Sequence, residues 1–299
     1  MIIHIYSLCW NEERMLPYYF RHYDAITDHF FIFDDASTDA SLDILTKHPK
    51  VKIDCFHKQP ESFVAAAHEF NNNIWKQSRN KADWVIICSM DEHLYHPDLW
   101  NYLEQCRDAG ITAIPAKGYQ MISNDFPNTE KPLCDLITFG MPYKKMSKLC
   151  IFNPDAIDEI NYKHGRHYSD PVGRVVYPQR RDLKLLHYKY LGLDYLIMRY
   201  AELSTGLLRI DIEKRWGVKY LSKRKEIEQS FHDVWEASSE VPLIDVAPKV
   251  RAMGIVQHLC YQTLRKLIEN WRLLKRTYKF PRKLAEYWHL LVKPLRKND

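Results

Sequence analysis

Residues 83–93 read DWVIICSMDEH, an apolar run that ends at two adjacent acids. Because the run is short and strongly apolar, we interpret residues 84–90 as a buried β-strand. Asp91 and Glu92 then stand at the carboxyl end of that strand. In open α/β sheets, this end of a strand borders the ligand-binding crevice. The stretch therefore predicts both a fold class and the position of a binding site.

Apolar runs alternate with helical patterns throughout the first half of the chain. We predict further strands at residues 2–8, 29–33, 51–56 and 111–116. Between them, apolar residues recur at helical spacing, with Asp39 and Ser62 as expected caps and Pro17 early in the first helix. This alternation indicates an α/β fold with a mainly parallel sheet and right-handed crossovers. Three strand ends carry the polar clusters CWNEE, DDASTD and MDEH, which together predict a binding crevice.

The second half of the chain is less regular. Residues 118–180 contain prolines, glycines and polar turns, so we expect loops over the crevice apart from a strand at 148–152. A strand at 183–188 follows, and the pattern after it is helical. We therefore predict one domain over residues 1–200 and a helical, basic carboxyl-terminal region over residues 201–299.

Composition narrows the class of protein. The chain is 46% hydrophobic, as in ordinary globular proteins. Its apolar stretches are far shorter than the roughly 18 residues that a membrane helix needs. The start, MIIHIYSLCWNEER, does not resemble a signal peptide. Seven scattered cysteines without a CxxC pair favour reduced thiols and argue against a zinc site. We expect a cytoplasmic protein that attaches peripherally to the inner face of the membrane.

The net charge of +5 is unevenly distributed. Residues 265–299 contain eleven Lys or Arg against three acids, a charge of +8, so the remaining chain carries −3. Basic residues beside Trp and Tyr on amphipathic helices suit an anionic membrane surface, which we favour as the partner of this segment. A solvated helical face is the alternative. Nucleic acid is not expected, because no recognised binding motif accompanies the charge.

Two strand ends carry paired acids. Asp34 and Asp35 could accept hydrogen bonds from a ribose or a base, or they could simply form a turn before a helix cap. Asp91 and Glu92 could hold Mg²⁺ or Mn²⁺ while phosphates supply the other ligands, or they could form a solvated turn. Both pairs lie at strand ends of one parallel sheet, which favours a nucleotide and metal site.

The runs SLCWNEERMLPYYFRHY, FIFDDASTDAS and DWVIICSMDEHLYH resemble family 2 glycosyltransferases of the branch with NEE, D-N-G-S-T-D and D-x-D-E-like motifs. Order and spacing match over about residues 1–100, and a weaker match that includes LLHYKYLG reaches about residue 200. The resemblance implies a GT-A-like fold with helices on both faces of the sheet. It also implies inverting transfer of a sugar from a nucleoside diphosphate sugar to a hydroxyl of a polysaccharide, lipopolysaccharide, lipid-linked or other glycan acceptor, assisted by Mn²⁺ or Mg²⁺.

The resemblance also assigns the nucleotide site. It implies that the loop after the first strand, with Cys9, Asn11 and Glu12, borders the nucleotide. It further implies that Asp34 or Asp35 contacts the base or the ribose. These positions follow the first and second predicted strands, so the resemblance and the sheet pattern place the nucleotide at the same edge.

For the metal, the resemblance implies that Asp91 is the last acid of D-x-D, Glu92 the acid that follows it, and His187 a further ligand. Taken alone, a histidine in an apolar strand is more often a satisfied core residue. Two positions depart from the family pattern. Ser89 stands where the first acid of D-x-D is usual, and Ala36 replaces a glycine, which disfavours a positive φ there.

An inverting transfer needs a carboxylate that takes the proton of the acceptor hydroxyl. We choose Asp125 in YQMISND, with Asp170 as runner-up among the acids of the loop region. The segment KHGRHYSDP at residues 163–171 could contact phosphates or the acceptor, or form a polar surface loop.

Two other functions remain open. The main alternative is a non-catalytic nucleotide-sugar-binding or scaffold protein at a membrane surface, which Ser89 and the absence of an obvious base keep open. Such a protein would bind donor without turning it over. A nucleotidyltransferase ranks lower, because CWNEERM is not the glycine-rich, basic loop that such enzymes normally carry after the first strand.

Overall fold

A computed structural model describes residues 1–57, 61–242, 249–263 and 266. The chain divides into two compact units, Met1–Ala252 and Met253–Asp299. The described part of the first unit contains a six-stranded sheet, a five-stranded sheet, a small sheet of two strands (β10-β11 below), and helices. In the second unit, residues 255–263 are helical. No helix among these described residues has the length and apolar character needed to cross a membrane.

The strands of the first unit are short. They are β1 (Ile3–Cys9), β2 (His29–Asp34), β3 (Val51–Cys55), β4 (Trp84–Ile87), β5 (Glu92–Tyr95), β6 (Ala113–Ile114), β7 (Lys117–Ser123), β8 (Phe139–Pro142), β9 (Ile151–Phe152), β10 (Ile157–Glu159), β11 (Val172–Gly173), β12 (Lys184–Leu191) and β13 (Ser239–Glu240). The helices are α1 (Leu16–Tyr23), α2 (Ser41–Lys47), α3 (Phe63–Asn73), α4 (Leu99–Asp108), α5 (Leu133–Leu136), α6 (Leu193–Thr205), α7 (Arg209–Glu213) and α8 (Arg224–Glu236). Short 3-10 turns occupy Ile74–Ser78, Lys144–Met146, His164–Arg166 and Val218–Leu221.

The first sheet has the order β3-β2-β1-β4-β9-β6. Strands β1 to β4 are parallel, whereas β9 runs antiparallel to both β4 and β6. The apolar runs that predicted β1, β2 and β4 supply its buried core, including Ile5, Ile32 and Ile86, each 0% exposed. The α/β class is therefore confirmed, and the parallel arrangement holds for the first four strands.

Two of the predicted helix starts agree with the structure. The Ser62 hydroxyl caps α3 by accepting a hydrogen bond from the backbone N–H of Ala65 at 3.0 Å. Pro17 lies in the first turn of α1, where its missing N–H costs no helical hydrogen bond. Asp39 is not the cap of α2 as predicted, because the N-cap is Ala40; Asp39 lies one residue earlier and accepts a hydrogen bond from the backbone N–H of Ser41 at 2.9 Å.

A second sheet, of order β13-β8-β7-β12-β5, corrects two sequence predictions. Residues 118–180 contain more strands than the one predicted at 148–152, because most of β7 and all of β8 lie there. The strand predicted at 84–90 ends at Ile87, and Glu92 already begins β5 of the second sheet. In this sheet β7 and β12 are parallel, while the other pairs are antiparallel. The chain thus passes from one sheet to the other between Ile87 and Glu92.

The domain boundary also differs from the prediction at residue 200. Ile227 and Phe231 of α8 pack in one buried cluster with Ile122 of β7 and Tyr190 of β12. This apolar contact joins α8 to the second sheet, and the compact unit continues to Ala252. The basic segment 265–299 lies outside the described residues, apart from residue 266.

Two stacked histidines in the core predict a loss of stability in acid. The rings of His22 and His93 lie 4.5 Å apart, and His93 is 0% exposed. Tyr19, Tyr23 and Tyr188 surround His93. The His22 ring bonds to the carbonyl oxygen of Leu94, and the His93 ring bonds to that of Met90. Burial lowers the pKa of His22 to about 4 and that of His93 well below its usual value, so the folded core favours neutral rings.

Because the unfolded chain binds these protons more readily, stability is fully present above about pH 6.5 and falls as the pH drops towards 4. We expect His22 alone to remove roughly 3 kcal/mol over that range. Urea unfolding between pH 7 and pH 4 measures the effect. The variant His93→Phe should show a shallower loss than the wild type. Equal pH dependence in the two proteins would contradict the assignment to this pair.

Candidate functional site

The carboxyl ends of three parallel strands meet at one edge of the first sheet. Cys9 at the end of β1 is level with Asp34 of β2, and Tyr6 of β1 is level with Ile87 of β4. The loops that follow these strands contain the three polar clusters of the sequence, and Asp91 lies in the third loop. Strand geometry therefore gathers residues 9–13, 34–39 and 89–92 at the edge where α/β folds bind ligands.

Asp91 and His187 form the centre of this edge. Asp91 Oδ2 lies 3.1 Å from His187 Nε2. The neighbouring Tyr188 N–H donates to the Asp91 carbonyl at 2.7 Å, which fixes the link between β4 and β5 against β12. Burial alone would raise the pKa of Asp91, but His187, together with Lys189, holds it below its usual value. The carboxylate is therefore charged at neutral pH.

Gln120 fixes the orientation of the His187 ring. Its Nε2 donates to the His187 carbonyl at 3.0 Å, so its Oε1 accepts from His187 Nδ1 at 2.8 Å. In neutral His187 the proton is then on Nδ1, and the bare Nε2 faces the Asp91 carboxylate. These two hydrogen-bond acceptors, His187 Nε2 and Asp91 Oδ2, lie 3.1 Å apart, so they must share a proton or a cation. Adjacent ligands of an octahedral cation with bonds of about 2.1 Å are themselves about 3 Å apart, so the pair fits a metal ion.

The donor set bears on which cation would bind. Within the described residues, no group of three or more His, Cys, Asp or Glu side chains surrounds a common metal position. One carboxylate and one imidazole suit a site where phosphate oxygens complete the coordination. Imidazole favours transition metals, whereas Mg²⁺ prefers oxygen ligands. The imidazole of His187 therefore distinguishes this pair from the all-oxygen ligand sets that Mg²⁺ prefers.

Glu92 does not join this pair, which argues against its predicted role as a metal ligand. Its Oε1 accepts a hydrogen bond from Lys148 Nζ at 2.5 Å and its Oε2 one from Arg166 Nη2 at 2.8 Å. All three side chains are at least 93% buried. Burial opposes ionisation, but Arg166 and Lys148 lower the pKa of Glu92 to about 2. Both carboxylate oxygens are thus committed to a buried ion triad.

Ser89, at the position of the missing first acid, is held by the same arginine. Arg166 Nη2 donates to Ser89 Oγ at 3.3 Å, and its Nη1 donates to the Ile87 carbonyl. Arg166 therefore supports the end of β4 instead of pointing from a surface loop. Of the other members of the segment 163–171, His164 stacks between His68 and the Trp216 ring. Within residues 163–167, Arg166 is buried and the other four residues are exposed.

Arg199 of α6 holds the loop after β1. Its guanidinium donates to the Asn11 carbonyl at 2.8 Å and to Glu12 Oε1 at 2.7 Å, and it also pairs with Glu202. Asn11 Oδ1 accepts from the backbone N–H of Thr38 at 2.8 Å, which joins the first two loops of the edge. Burial raises the pKa of Glu12 to about 7, against the opposing charge of Arg199. Glu12 thus titrates near neutrality beside the candidate metal pair.

The predicted nucleotide residues differ in what they expose. Asp34 Oδ2 accepts from the Ser37 N–H at 3.0 Å, while its buried Oδ1 has no hydrogen-bond partner among the described atoms. Asp35 is also buried, at 3% exposure. Cys9 is 0% exposed and belongs to the hydrophobic core, and burial raises the pKa of its thiol, so its side chain is not accessible to a ligand. Ala36 adopts a φ of +55°, so the expectation that alanine avoids this conformation is wrong.

The two candidate bases occupy different surroundings. Asp125 is exposed just beyond β7, where its carbonyl accepts from Ser123 Oγ at 2.8 Å. A Cβ atom at Gly192 would lie 3.0 Å from the Asp125 Cα, so this loop packs on the turn between β12 and α6. Asp170 is exposed in another loop, where its backbone bonds to Asn161. Of the two, Asp125 contacts the turn that follows the strand with His187.

Three residues of the site were not predicted from the sequence. Gln120 lies in β7, which was expected to be a loop, so its pairing with the His187 strand could not be anticipated. Lys148 offered a signal, since it is a charged residue at the start of a predicted apolar strand. Arg199 offered a weaker one, as a single cation on an otherwise apolar helix face. Each became identifiable only through a partner distant in sequence.

No family model matches this chain, and no curated protein matches it. Among solved structures, S. aureus TarS 1-349 in complex with UDP-GlcNAc is similar over 43% of this chain and 37% of that chain, at 14% identity and a TM-score of 0.31. The structure of S. aureus TarS is similar over 79% of this chain and 43% of that chain, at 10% identity and a TM-score of 0.38. Glucosyl-3-phosphoglycerate synthase from Mycobacterium tuberculosis, in complex with Mn²⁺, UDP and glucosyl-3-phosphoglycerate, is also similar. The match covers 40% of this chain and 44% of that chain, at 16% identity and a TM-score of 0.28. The match spans less than half of each of these chains.

Proposed function

We propose that this chain is a metal-assisted glycosyltransferase that moves a sugar from a nucleoside diphosphate sugar to a hydroxyl of a glycan or lipid-linked acceptor. The observation that carries the proposal is the Asp91–His187 pair, with its oriented imidazole, at the carboxyl edge of a parallel sheet. A carboxylate and an imidazole facing each other beside three converging loops suit a cation that binds together with phosphates.

The nucleoside would lie against the first two loops. The buried Asp34 Oδ1 offers an unused acceptor to a base N–H or a ribose hydroxyl, because a buried acceptor gains most from a ligand donor. Asp35 and the backbone around Asn11 and Glu12 border the same position. Arg199 keeps this loop in place through the Asn11 carbonyl and the Glu12 carboxylate.

In the reaction, an acceptor oxygen forms a bond to the anomeric carbon as the bond from that carbon to the diphosphate breaks. The diphosphate leaves with the electron pair, and a carboxylate takes the proton of the acceptor hydroxyl. We assign this proton to Asp125, which is exposed beside the turn that follows β12. When bound, Mn²⁺ would supply positive charge to the leaving diphosphate. This assignment makes the transfer inverting.

The acceptor and the location are also proposals. A basic segment at residues 265–299 would hold the protein at an anionic membrane surface on the cytoplasmic side, where lipid-linked acceptors lie. Nucleic acid is not a proposed partner. The alternative, a nucleotide-sugar-binding scaffold without turnover, is favoured by one observation: Ser89, bonded to Arg166, replaces an acid of the metal motif.

The test is thermal stabilisation by UDP, GDP, CMP and their sugar conjugates, with Mn²⁺ or with EDTA. A ligand that binds only the folded chain raises its melting temperature. At a ligand concentration one hundred times the dissociation constant, the free energy of unfolding increases by about 2.7 kcal/mol. We expect one nucleotide family to stabilise the protein in Mn²⁺ and much less in EDTA. Release of free nucleotide from the sugar conjugate then separates the enzyme from the scaffold. If none of the nucleotides stabilised the protein, both the transferase and the scaffold would be contradicted.

A further inference from the structure

A basic surface segment covers residues 209–225, from α7 through a 3-10 turn to the start of α8. It contains seven Lys or Arg against two acids, a charge of +5. The residues outside this segment and outside 265–299 together carry −8. All seven cations of the segment are exposed. The segment is therefore a concentrated positive surface on an otherwise acidic body.

Contacts within the chain neutralise few of these cations. Arg209 pairs with Glu61 and Glu213. Arg224 pairs with Glu228. Among the described residues, no carboxylate forms an ion pair with the other five cations, which are Lys214, Arg215, Lys219, Lys223 and Lys225. Three of the seven cations also lie at the start of α8, where the helix dipole disfavours positive charge. Intramolecular contacts therefore do not explain this charge, which suits an anionic partner.

Large apolar side chains are exposed in the same segment. Ile212 is 47% exposed and Leu221 is 48% exposed, and in the described part of the first unit only Val172 is a more exposed large hydrophobic residue. The partly exposed indole of Trp216 lies between them in the chain, with its ring centre 4.8 Å from Lys214 Nζ. Aliphatic and indole groups beside Lys and Arg are typical of surfaces that enter the headgroup layer of an anionic bilayer. A soluble polyanion would use the charges alone.

The segment adjoins two of the structures that support the candidate site. The ring of Trp216 stacks on that of His164, with centres 4.2 Å apart, in the 3-10 turn whose Arg166 bonds to the end of β4. The ring of Tyr220 packs on that of Tyr200 in α6, with centres 5.4 Å apart, and α6 also holds the loop after β1. A surface bound to this segment therefore lies beside the edge that carries the candidate site.

We propose that residues 209–225 form a docking surface for an anionic lipid bilayer. Ile212 and Leu221 would enter the headgroup layer, and the surrounding cations would pair with lipid phosphates. This surface is separate from the segment 265–299. It rests on the proposed function only for its purpose, which is to bring the candidate site to a lipid-linked acceptor. Binding to the bilayer itself needs neither a nucleotide nor a metal.

The experiment is cosedimentation of the full chain with vesicles of phosphatidylcholine and phosphatidylglycerol, in EDTA and without nucleotide. One variant combines Lys214→Gln with Arg215→Gln, and the other combines Ile212→Ser with Leu221→Ser. Each cation near an anionic bilayer is worth about fivefold in binding, so the charge variant should bind about 30-fold more weakly. The apolar variant should bind about tenfold more weakly, because two half-exposed side chains no longer leave water. The segment 265–299 contributes equally in every protein.

The matched control combines Ile2→Ser with Lys81→Gln. Ile2 is 45% exposed and Lys81 is exposed, and they lie shortly before β1 and β4, at the end of the first sheet opposite the candidate site. The control should bind the vesicles like the wild type. All variants should keep the melting temperature of the wild type, because the substituted side chains are exposed.

No binding by the wild type, or equal binding by the wild type and both variants, would overturn the proposal. Weaker binding by the charge variant alone would also overturn it and would indicate a soluble polyanion as the partner. Sugar transfer with unchanged vesicle binding in the variants would reject this surface and leave the proposed function standing. Vesicle binding lost in both variants, without any turnover of a nucleotide sugar, would support the surface and reject the transferase.

Discussion

Asp91→Asn should lower sugar transfer by about a thousandfold or more while leaving the fold intact. The substitution removes the negative charge that faces His187 Nε2 and keeps the size of the side chain. A bound cation supplies several kcal/mol of charge stabilisation to a leaving diphosphate, and each 1.4 kcal/mol is worth about tenfold in rate. Stability should change little, because Asp91 is 28% exposed and asparagine can still bond to the ring.

The measurement is the rate of transfer with Mn²⁺, together with the melting temperature of both proteins. Asp108→Asn is the matched control, since Asp108 is an exposed acid at the end of α4, away from the three loops. It should retain wild-type rate and Mn²⁺ dependence. Full metal-dependent transfer by Asp91→Asn would remove Asp91 from the metal site, whatever the fate of the other assignments.

Glu92→Gln should destabilise the protein by about 3–5 kcal/mol, the largest stability loss that we expect from one substitution. Glutamine has the same shape but no charge, so Lys148 and Arg166 would remain buried without a counter-charge. Their pairing also joins the segments that precede β9 and β11 to the start of β5. We therefore expect a fall in the melting temperature of about 10 °C, together with a lower midpoint of urea unfolding at neutral pH.

The control is Glu228→Gln, which removes the partner of Arg224 on the exposed face of α8. Exposed pairs at this spacing contribute little, so its stability should stay close to that of the wild type. Similar stability of Glu92→Gln and Glu228→Gln would show that the triad is solvated. In that case Glu92 would again be available as a metal ligand.

The order of residues along the chain is sufficient to predict the parallel strands of the first sheet and the polar clusters at their carboxyl ends. The runs that form β1, β2 and β4 are continuous and apolar because both faces of a parallel strand are covered, and this pattern is local in the chain. Their polar ends are recognisable for the same reason, since each of these apolar runs stops where a polar cluster begins. The sequence pattern therefore places Asp34 and Asp91 at the edge without reference to any tertiary contact.

Ala36 shows where local reasoning fails. Its backbone is held at a φ of +55° because the neighbouring Ser37 N–H bonds to Asp34 and the Thr38 N–H bonds to Asn11. Such contacts can outweigh the cost of about 1–2 kcal/mol that alanine meets in this conformation. Glycine adopts this conformation most readily, yet the tertiary contacts of the loop impose the same shape on alanine.

Which charged residues meet depends on the tertiary structure alone. The second sheet is mostly antiparallel and its five strands come from segments between residues 92 and 240, so its pairing leaves no continuous pattern in the sequence. That sheet brings Gln120 and His187 to Asp91, and it turns Glu92 inward, towards Lys148 and Arg166. Asp91 ends the turn between β4 and β5 and Glu92 begins β5, and the partners of the two carboxylates come from distant segments. The sequence showed that Asp91 and Glu92 lie at the edge, and the fold separated a candidate ligand from a structural charge.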